Sequence, residues 1–330
     1  MGRIGRRAAL LGGAAAPLLS GGGGPPRPAA AQELSARQIR VVVGFAAGGA
    51  NDIMARLIAG KLNERLQGAS FVVENRPGAA TLVAAEHVAR AAPDGTTLLY
   101  ASLSTLIAPL VNRGSALDPP RDFAAVAMAQ TSPLLLVSRP DFPARTLAQV
   151  IALAKERSGR VTVSHPGSGG INHLSMAMLT KQTGAEFTLV PYNGNHPSLT
   201  ALVRGDVDLA SDSPFAARSL LEQGAIRAVA TTGAQRSPVM PDVPAFAETV
   251  PGYEVMFWGG LLAPRGTPEP ILDRLNREVD AVLRLPDVAE RVRSFGAEPV
   301  GGSRADYARV IAADWARWGT VVRETGARGD

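Results

Sequence analysis

Ile39-Arg-Val-Val-Val43, followed by Gly44-Phe-Ala-Ala-Gly-Gly49 and Ala50-Asn-Asp52, is the stretch that decides the fold. The first five residues are apolar and β-branched enough to read as a buried strand, and the glycine-rich run after them is a loop. Asn51 or Asp52 can then cap a helix whose apolar positions Met54, Leu57, Ile58, Leu62 and Leu66 recur at helical spacing. Phe71-Val-Val73 is a second strand, Asn75-Arg-Pro-Gly78 a turn, Leu82 to Ala92 a helix stopped by Pro93-Asp-Gly95, and Thr97 to Tyr100 a third strand. Strands separated by helices of this length predict βαβ units and a parallel sheet.

The pattern restarts further on. Leu134–Val137 and Val161–Val163 read as strands around a helix at Leu147–Arg157, and Ser164–Gly170 is a second glycine-rich loop before a helix at His173–Gln182. Thr188–Val190, Val207–Ala210 and Ile226–Thr231 read as strands, with a helix at Leu199–Arg204. Prolines interrupt the region from Pro238 to Pro251, and Phe257–Ala263 resumes as an extended run. Pro270–Leu283, Pro286–Ser294 and Arg304–Glu324 are amphipathic helical stretches. Two α/β lobes with a restarted pattern predict a cleft, with ligand beyond the carboxyl ends of the strands. Both glycine-rich loops occupy that position, one in each lobe.

Composition narrows the chemistry. The chain has 330 residues, 46% hydrophobic and 19% charged, enough for a real core. It has no cysteine, which excludes disulfides, thiolate metal sites and a cysteine nucleophile. The formal charge of +5 invites a nucleic-acid reading, but residues 1–31 contain Arg3, Arg6, Arg7 and Arg27 and no acid. Without those four, 34 basic residues become 30 against 29 acidic ones, which is no footprint for nucleic acid. Arg3, Arg6 and Arg7, the apolar run Ala8–Leu19 and Ala29-Ala-Ala31 read as an export signal at 1–31, with the arginine pair resembling a twin-arginine signal. About twelve apolar residues are too few to span a bilayer. The expectation is a soluble periplasmic protein.

Each loop can be read in two ways. In Gly44–Asp52, glycines let backbone N–H groups approach a ligand at a helix start, an anion site made without a cation. The plainer reading is a tight turn with a helix cap. His165-Pro-Gly-Ser-Gly-Gly-Ile-Asn-His173 repeats the design, with the Ser168 hydroxyl, close approach at Gly169 and Gly170, and His173 near the helix start as a packed, capping or ligand-contacting imidazole. Neither loop completes Gly-x-Gly-x-x-Gly, no Gly-Lys-Ser/Thr is present, and Pro166 breaks a Gly-x-Ser-x-Gly elbow around Ser168. His165, His173 and His196 lack metal-ligand spacing, so no metal and no cofactor is expected. Asp206 and Asp208 read as a solvated strand edge, whereas Asp212, between Ser211 and Ser213, points to the cleft. Trp315 and Trp318 read as core.

Read in order, Gly48-Gly-Ala-Asn-Asp52, Val73-Glu-Asn-Arg-Pro-Gly78, Ala92-Pro-Asp-Gly95, Gly167-Ser-Gly-Gly-Ile-Asn-His173, Val190-Pro-Tyr-Asn-Gly194, Pro241-Asp-Val-Pro244, Gly260-Leu-Leu-Ala-Pro264 and Gly301-Gly-Ser303 resemble the Bug/TctC family, the periplasmic solute-binding subunits of tripartite tricarboxylate transporters. The resemblance implies a type II periplasmic-binding-protein-like α/β fold, each lobe a mainly parallel sheet flanked by helices. Lobe 1 would span 32–137 plus 257–330 and lobe 2 138–256, with Leu134–Pro140 and Phe257–Ala263 crossing between them. It implies a monomeric receptor, not an enzyme, that holds a small carboxylate through backbone amides, hydroxyls and water and delivers it to membrane permease subunits. Carried over residue by residue, Phe45, Ala47, Gly48, Gly49 and Asn51 line the first-lobe side, and Ser168, Gly169, Gly170 and His173 the second, with Asp212 at the other end of the ligand. This chain departs from the pattern at Gly44, Ala46 and Ala47, where prolines are usual and whose loss predicts a more mobile loop. Asn193 stands where a lysine is common and His165 where a small residue is usual. The competing readings are a solute sensor for a signalling partner and a secreted hydrolase using Ser168, His173 and Asp212.

Overall fold

The computed structural model describes residues 38–328 except Arg113; the export signal read at 1–31 lies outside them. The described strands are β1 Gln38–Val43, β2 Ser70–Asn75, β3 Thr97–Ser102, β4 Phe123–Pro133, β5 Leu135–Ser138, β6 Val161–His165, β7 Phe187–Pro191, β8 Leu209–Asp212, β9 Arg227–Thr231, β10 Met256–Pro264 and β11 Glu298–Pro299. The helices are α1 Ala50–Arg65, α2 Leu82–Ala89, α3 Leu103–Val111, α4 Pro119–Asp122, α5 Leu147–Glu156, α6 Ile171–Thr183, α7 Asn195–Arg204, α8 Pro214–Glu222, α9 Glu269–Leu283, α10 Pro286–Arg293 and α11 Arg304–Thr325.

Two sheets form, ordered β11-β4-β10-β3-β1-β2 and β7-β6-β8-β5-β9. Both are mixed. The β2-β1-β3 and β7-β6-β8 portions are parallel, as the βαβ reading requires, and the remaining pairings are antiparallel. The chain leaves the first sheet at Pro133, enters the second at Leu135, and returns to the first at Met256. Sequence periodicity does not parse residues 103–133, which fold as α3, α4 and the eleven-residue β4.

β1 and β3 are central and covered on both faces, which is why they read as apolar runs without alternation. One apolar cluster backs the first sheet and joins Met54, Ile58 and Leu62 of α1 to Leu272, Leu275 and Val279 of α9. Another is continuous through both halves of the molecule. In it Val42 and Leu99 of the first sheet share a core with Leu136 and Val163 of the second, and with Trp318 and Val322 of α11. A third, around Leu135, Val137, Leu199 and Leu202, lies on the other face of the second sheet.

Candidate functional site

The two glycine-rich turns are conformational copies of one another. Gly48 and Gly169 both take left-handed φ, +84° and +70°, which side chains tolerate poorly. The next residue is the helix N-cap in each case, Gly49 at φ −77°, ψ 165° and Gly170 at φ −74°, ψ 167°, and neither helix start carries a side-chain cap. Gly49 N–H donates to Ala46 O (3.5 Å) and Gly170 N–H to Gly167 O (3.4 Å), and the helices open with Ile53 N–H to Gly49 O (2.9 Å) and Leu174 N–H to Gly170 O (3.0 Å). The expectation that Asn51 or Asp52 caps α1 is corrected here, because both lie inside its first turn. By contrast α4, α5, α8 and α11 are capped by Asp118, Thr146, Ser213 and Ser303. The first N–H groups of a helix have no intrahelical acceptor, so an uncapped glycine start presents them, with the positive end of the helix dipole, to whatever lies in front.

Each turn is tied by the residue three positions into its helix after the cap. Gly48 N–H donates to Asp52 Oδ2 (2.8 Å), and Gly169 N–H to His173 Nδ1 (2.9 Å). Asp52 also accepts from Arg56 Nε (3.0 Å) and from Asn75 Nδ2 (2.8 Å), and Asn75 Nδ2 donates in addition to Phe45 O (3.0 Å). Burial pushes the Asp52 carboxyl up, but the hydrogen bonds from Arg56, Gly48 and Asn75 outweigh it and hold the pKa below the usual carboxylate value. Asp52 is thus an ionised anchor, committed to the protein. In the second turn His165 is buried, its ring stacked on that of His173 with centroids 4.9 Å apart and planes 5° from parallel.

The structure gathers Phe45, Ala47, Gly48, Gly49 and Asn51 at the carboxyl end of β1. Ser168, Gly169, Gly170 and His173 gather at that of β6, and Asp212 ends β8, the parallel neighbour of β6. Asn172 Nδ2 donates to Ser211 O (3.0 Å), stitching the second turn to the strand end that carries Asp212. Asp212 is fully buried. Its Oδ1 accepts from Asn195 Nδ2, at the start of α7, and from Ser213 N–H (2.7 Å), whereas Oδ2 has no partner among the described residues. Desolvation dominates these hydrogen bonds and pushes its pKa up to about 6. Asn51 Oδ1, buried in the first turn, is likewise unpartnered. Asp208, read as solvated edge, instead accepts from Thr162 N–H and Oγ1, both at 3.0 Å.

Sequence reasoning missed Asn75, Arg56, Asn172, Asn195 and Thr81. The first sits in the quoted Val73–Gly78 stretch and the fourth directly after Gly194, but nothing in those short motifs says what their amides hold. Thr81 is buried in a left-handed conformation (φ +85°), the last of three such residues after Ala79 and Ala80. It occupies the space that Gly44 leaves open: a Cβ built on Gly44 would lie 2.7 Å from Thr81 Cβ. The base of the first turn is therefore packed, despite the missing proline. Gly44→Ala should lose about 2 kcal/mol of stability through overpacking. Adding Thr81→Gly should recover most of that loss in urea unfolding, because it removes both the clash and a strained backbone. Additive losses would refute the pairing.

Among the described residues no helix is long and apolar enough to cross a membrane, and no group of three or more His, Asp or Glu side chains could hold a metal ion.

Comparison with known proteins agrees with this arrangement. The family described as tripartite tricarboxylate transporter family receptor matches residues 54–327. Protein BugT of Bordetella pertussis is 34% identical over 308 residues, covering 91% of this chain and 93% of BugT. Among solved structures, R. palustris Rpa4515 with adipate superposes with a TM-score of 0.79 at 38% identity, over 88% of this chain and 98% of that one. MatC (Rpa3494) from Rhodopseudomonas palustris with bound malate gives 0.74 at 36% identity, over 87% and 99%. Paired glycine turns on two sheets, and matches that run nearly end to end through both, have one reading: the chain belongs to the tripartite tricarboxylate transporter receptor family.

Proposed function

We propose that this protein is a periplasmic receptor that closes two lobes on a small carboxylate and hands it to membrane permease subunits. The observation that carries the reading is the duplicated turn: an uncapped glycine start on each sheet, Gly49 and Gly170, with matching dihedral angles, a geometry that the uncapped Gly194 start of α7 does not share. Two such starts supply backbone donors and dipole ends for a carboxylate at each lobe without a bound cation. The solved relatives Rpa4515 and MatC hold adipate and malate, acids of the matching chemistry.

In this reading Phe45, Ala47, Gly48, Gly49 and Asn51 contact the ligand from one lobe, Ser168, Gly169, Gly170 and His173 from the other, and Asp212 meets its far end. The lobes move as units on the two passages between sheets, near Pro133–Leu135 and before Met256. The receptor acts as a single copy and performs no chemistry. A hydrolytic triad would need Nδ1 of His173 to donate to an acid, and that nitrogen instead accepts the Gly169 N–H.

Isothermal calorimetry of the purified protein against C4–C6 diacids, citrate, amino acids and aromatic acids tests this. At least one carboxylate should bind saturably with micromolar or tighter affinity, about −8 kcal/mol or better. Replacing Gly169 with a side chain that cannot hold its left-handed φ should weaken that binding at least tenfold. Silence across the whole panel would overturn the reading.

A further inference from the structure

A cavity of about 510 Å³ opens on the first sheet away from the glycine turns, walled by Arg40, Val83, Glu86, His87, Arg90 and Thr97 among others. Arg40 lies in the register row that joins it to Val72 on β2 and to Thr97 on β3, three residues before the end of β1. The neighbouring Val42 packs into the core cluster that holds Leu82 and Val88 of α2, whereas Val41 and Val43 pack with α1 on the opposite face. Alternation along the strand places Arg40 with Val42, under α2, so the sheet itself separates the cavity from α1.

The charges in the cavity nearly cancel, but not entirely. Arg90 is paired with Glu86, and Arg76, which faces His87 from beyond β2, is paired with Glu74 at 2.6 Å. Among the described residues Arg40 forms no ion pair, and the one hydrogen bond of its side chain runs to Thr97 Oγ1 at 3.2 Å. Burial, with the nearby Arg76 and Arg40 charges, lowers the His87 pKa against the smaller opposing pull of Glu74, so its imidazole stays neutral. Its Nε2 is buried with no partner among the described residues. One exposed guanidinium is left without an ion pair among the described residues, with most of its five N–H donors turned to solvent rather than to protein. Beside it stands an apolar wall of Ala91, Ala92 and Val83, the last 48% exposed.

We propose that this cavity is a second anion site, separate from the glycine turns, that takes a single carboxylate on a short aliphatic stem, with Arg40 as the gripping group. The volume lies in the range of small-molecule sites. The guanidinium fork matches a carboxylate in two parallel hydrogen bonds, and the stem lies against Val83 and the two alanines. A net charge of one selects a monoanion: a diacid or phosphate dianion brings a second negative charge that Glu86 and Glu74 repel. The proposal does not depend on the receptor reading.

The His87 ring is the reporter, followed as its Cε1–Hε1 cross-peak while butyrate is titrated into the full chain at pH 7.5. The peak should shift saturably, Arg40→Gln should weaken that response at least tenfold, and Asp212→Asn should leave it unchanged. Val83→Asp, at an exposed position that does not threaten folding, places a carboxylate beside Arg40 and should abolish the response as well. The proposal fails if butyrate produces no saturable shift, if Val83→Asp leaves the shift intact, or if inorganic phosphate binds the same site as tightly. Loss of the response in Asp212→Asn would place butyrate at the glycine turns instead, and would equally overturn the second site.

Discussion

Asp212→Asn stabilises the protein at neutral pH and loses that advantage in acid. Folding buries this carboxyl completely and raises its pKa from 3.8 to about 6, chiefly by desolvation, against the pull of Asn195 and of Ser213. An acid whose pKa rises on folding holds its proton more tightly in the folded state. Its contribution is fully present below the unfolded pKa and is lost as pH climbs through the folded one. The gap between the two values corresponds to about 3 kcal/mol of stability given up at pH 7.5. Asparagine keeps an oxygen that can accept from Asn195 and Ser213, while its amide N–H groups find no acceptor where Oδ2 was, a cost of about 1 kcal/mol. Urea unfolding should therefore show the variant more stable by about 2 kcal/mol at pH 7.5, and no more stable than the parent at pH 4. A gain of equal size at both pH values would mean that Asp212 is not carrying a buried charge.

The second large effect is expected at the glycine pair of β10. A Cβ on Gly260 would lie 2.5 Å from Ala127 O and 2.8 Å from Tyr307 Cζ and its hydroxyl. On Gly259 it would lie 2.7 Å from the Tyr100 hydroxyl. The ladder between β10 and β4 already shifts register between these two residues. Gly260→Ala must push either a backbone carbonyl or a fully buried ring, so it should cost about 3 kcal/mol or more. Tyr307→Phe should not rescue it, because the carbonyl remains. The clash at Gly259 is closest on one hydroxyl, with ring carbons Cε1 and Cζ of Tyr100 behind it at 3.2 Å; that hydroxyl is buried and has no partner among the described residues. Tyr100→Phe should therefore be neutral or stabilising by about 1 kcal/mol, since it removes an unsatisfied buried polar group, and should recover much of the loss in Gly259→Ala. Thermal unfolding of the four single and two double variants checks the contrast; equal rescue in both pairs would sink it.

These positions also mark how far the sequence is legible. β1 and both glycine turns could be read because apolar strands ran into glycine-rich loops followed by 3.6-residue periodicity, and β2 and β3 as short apolar runs flanked by the turns Asn75-Arg-Pro-Gly78 and Pro93-Asp-Gly95. β4, Phe-Ala-Ala-Val-Ala-Met-Ala-Gln-Thr-Ser-Pro, could not: alanine favours helix over strand, and burial on both faces erases the alternation. α3 was obscured by Pro109 inside it, and α8 starts on a proline directly after a strand end. At the site, glycine spacing pointed to backbone donors, but the acceptors that tie the turns are set by tertiary contact. Asn75 reaches Asp52 from 23 residues away and Asn172 reaches Ser211 from 39, and no local pattern encodes either. The bracing of Gly44 by Thr81 was hidden for the same reason, since the loss of a proline was visible and its replacement was not.

The placement of β10 between β3 and β4 has a consequence for how the chain comes into being. A growing polypeptide that ends anywhere before Met256 has two rows of open backbone groups where the middle of its first sheet should be. It also lacks α9 and α11, the helices that seal that sheet from either side. The strands of the first sheet made early cannot settle until nearly the whole chain has been made, whereas the second sheet has all its strands once Thr231 is made. The first sheet would thus acquire its order last, although four of its six strands are made before any strand of the second.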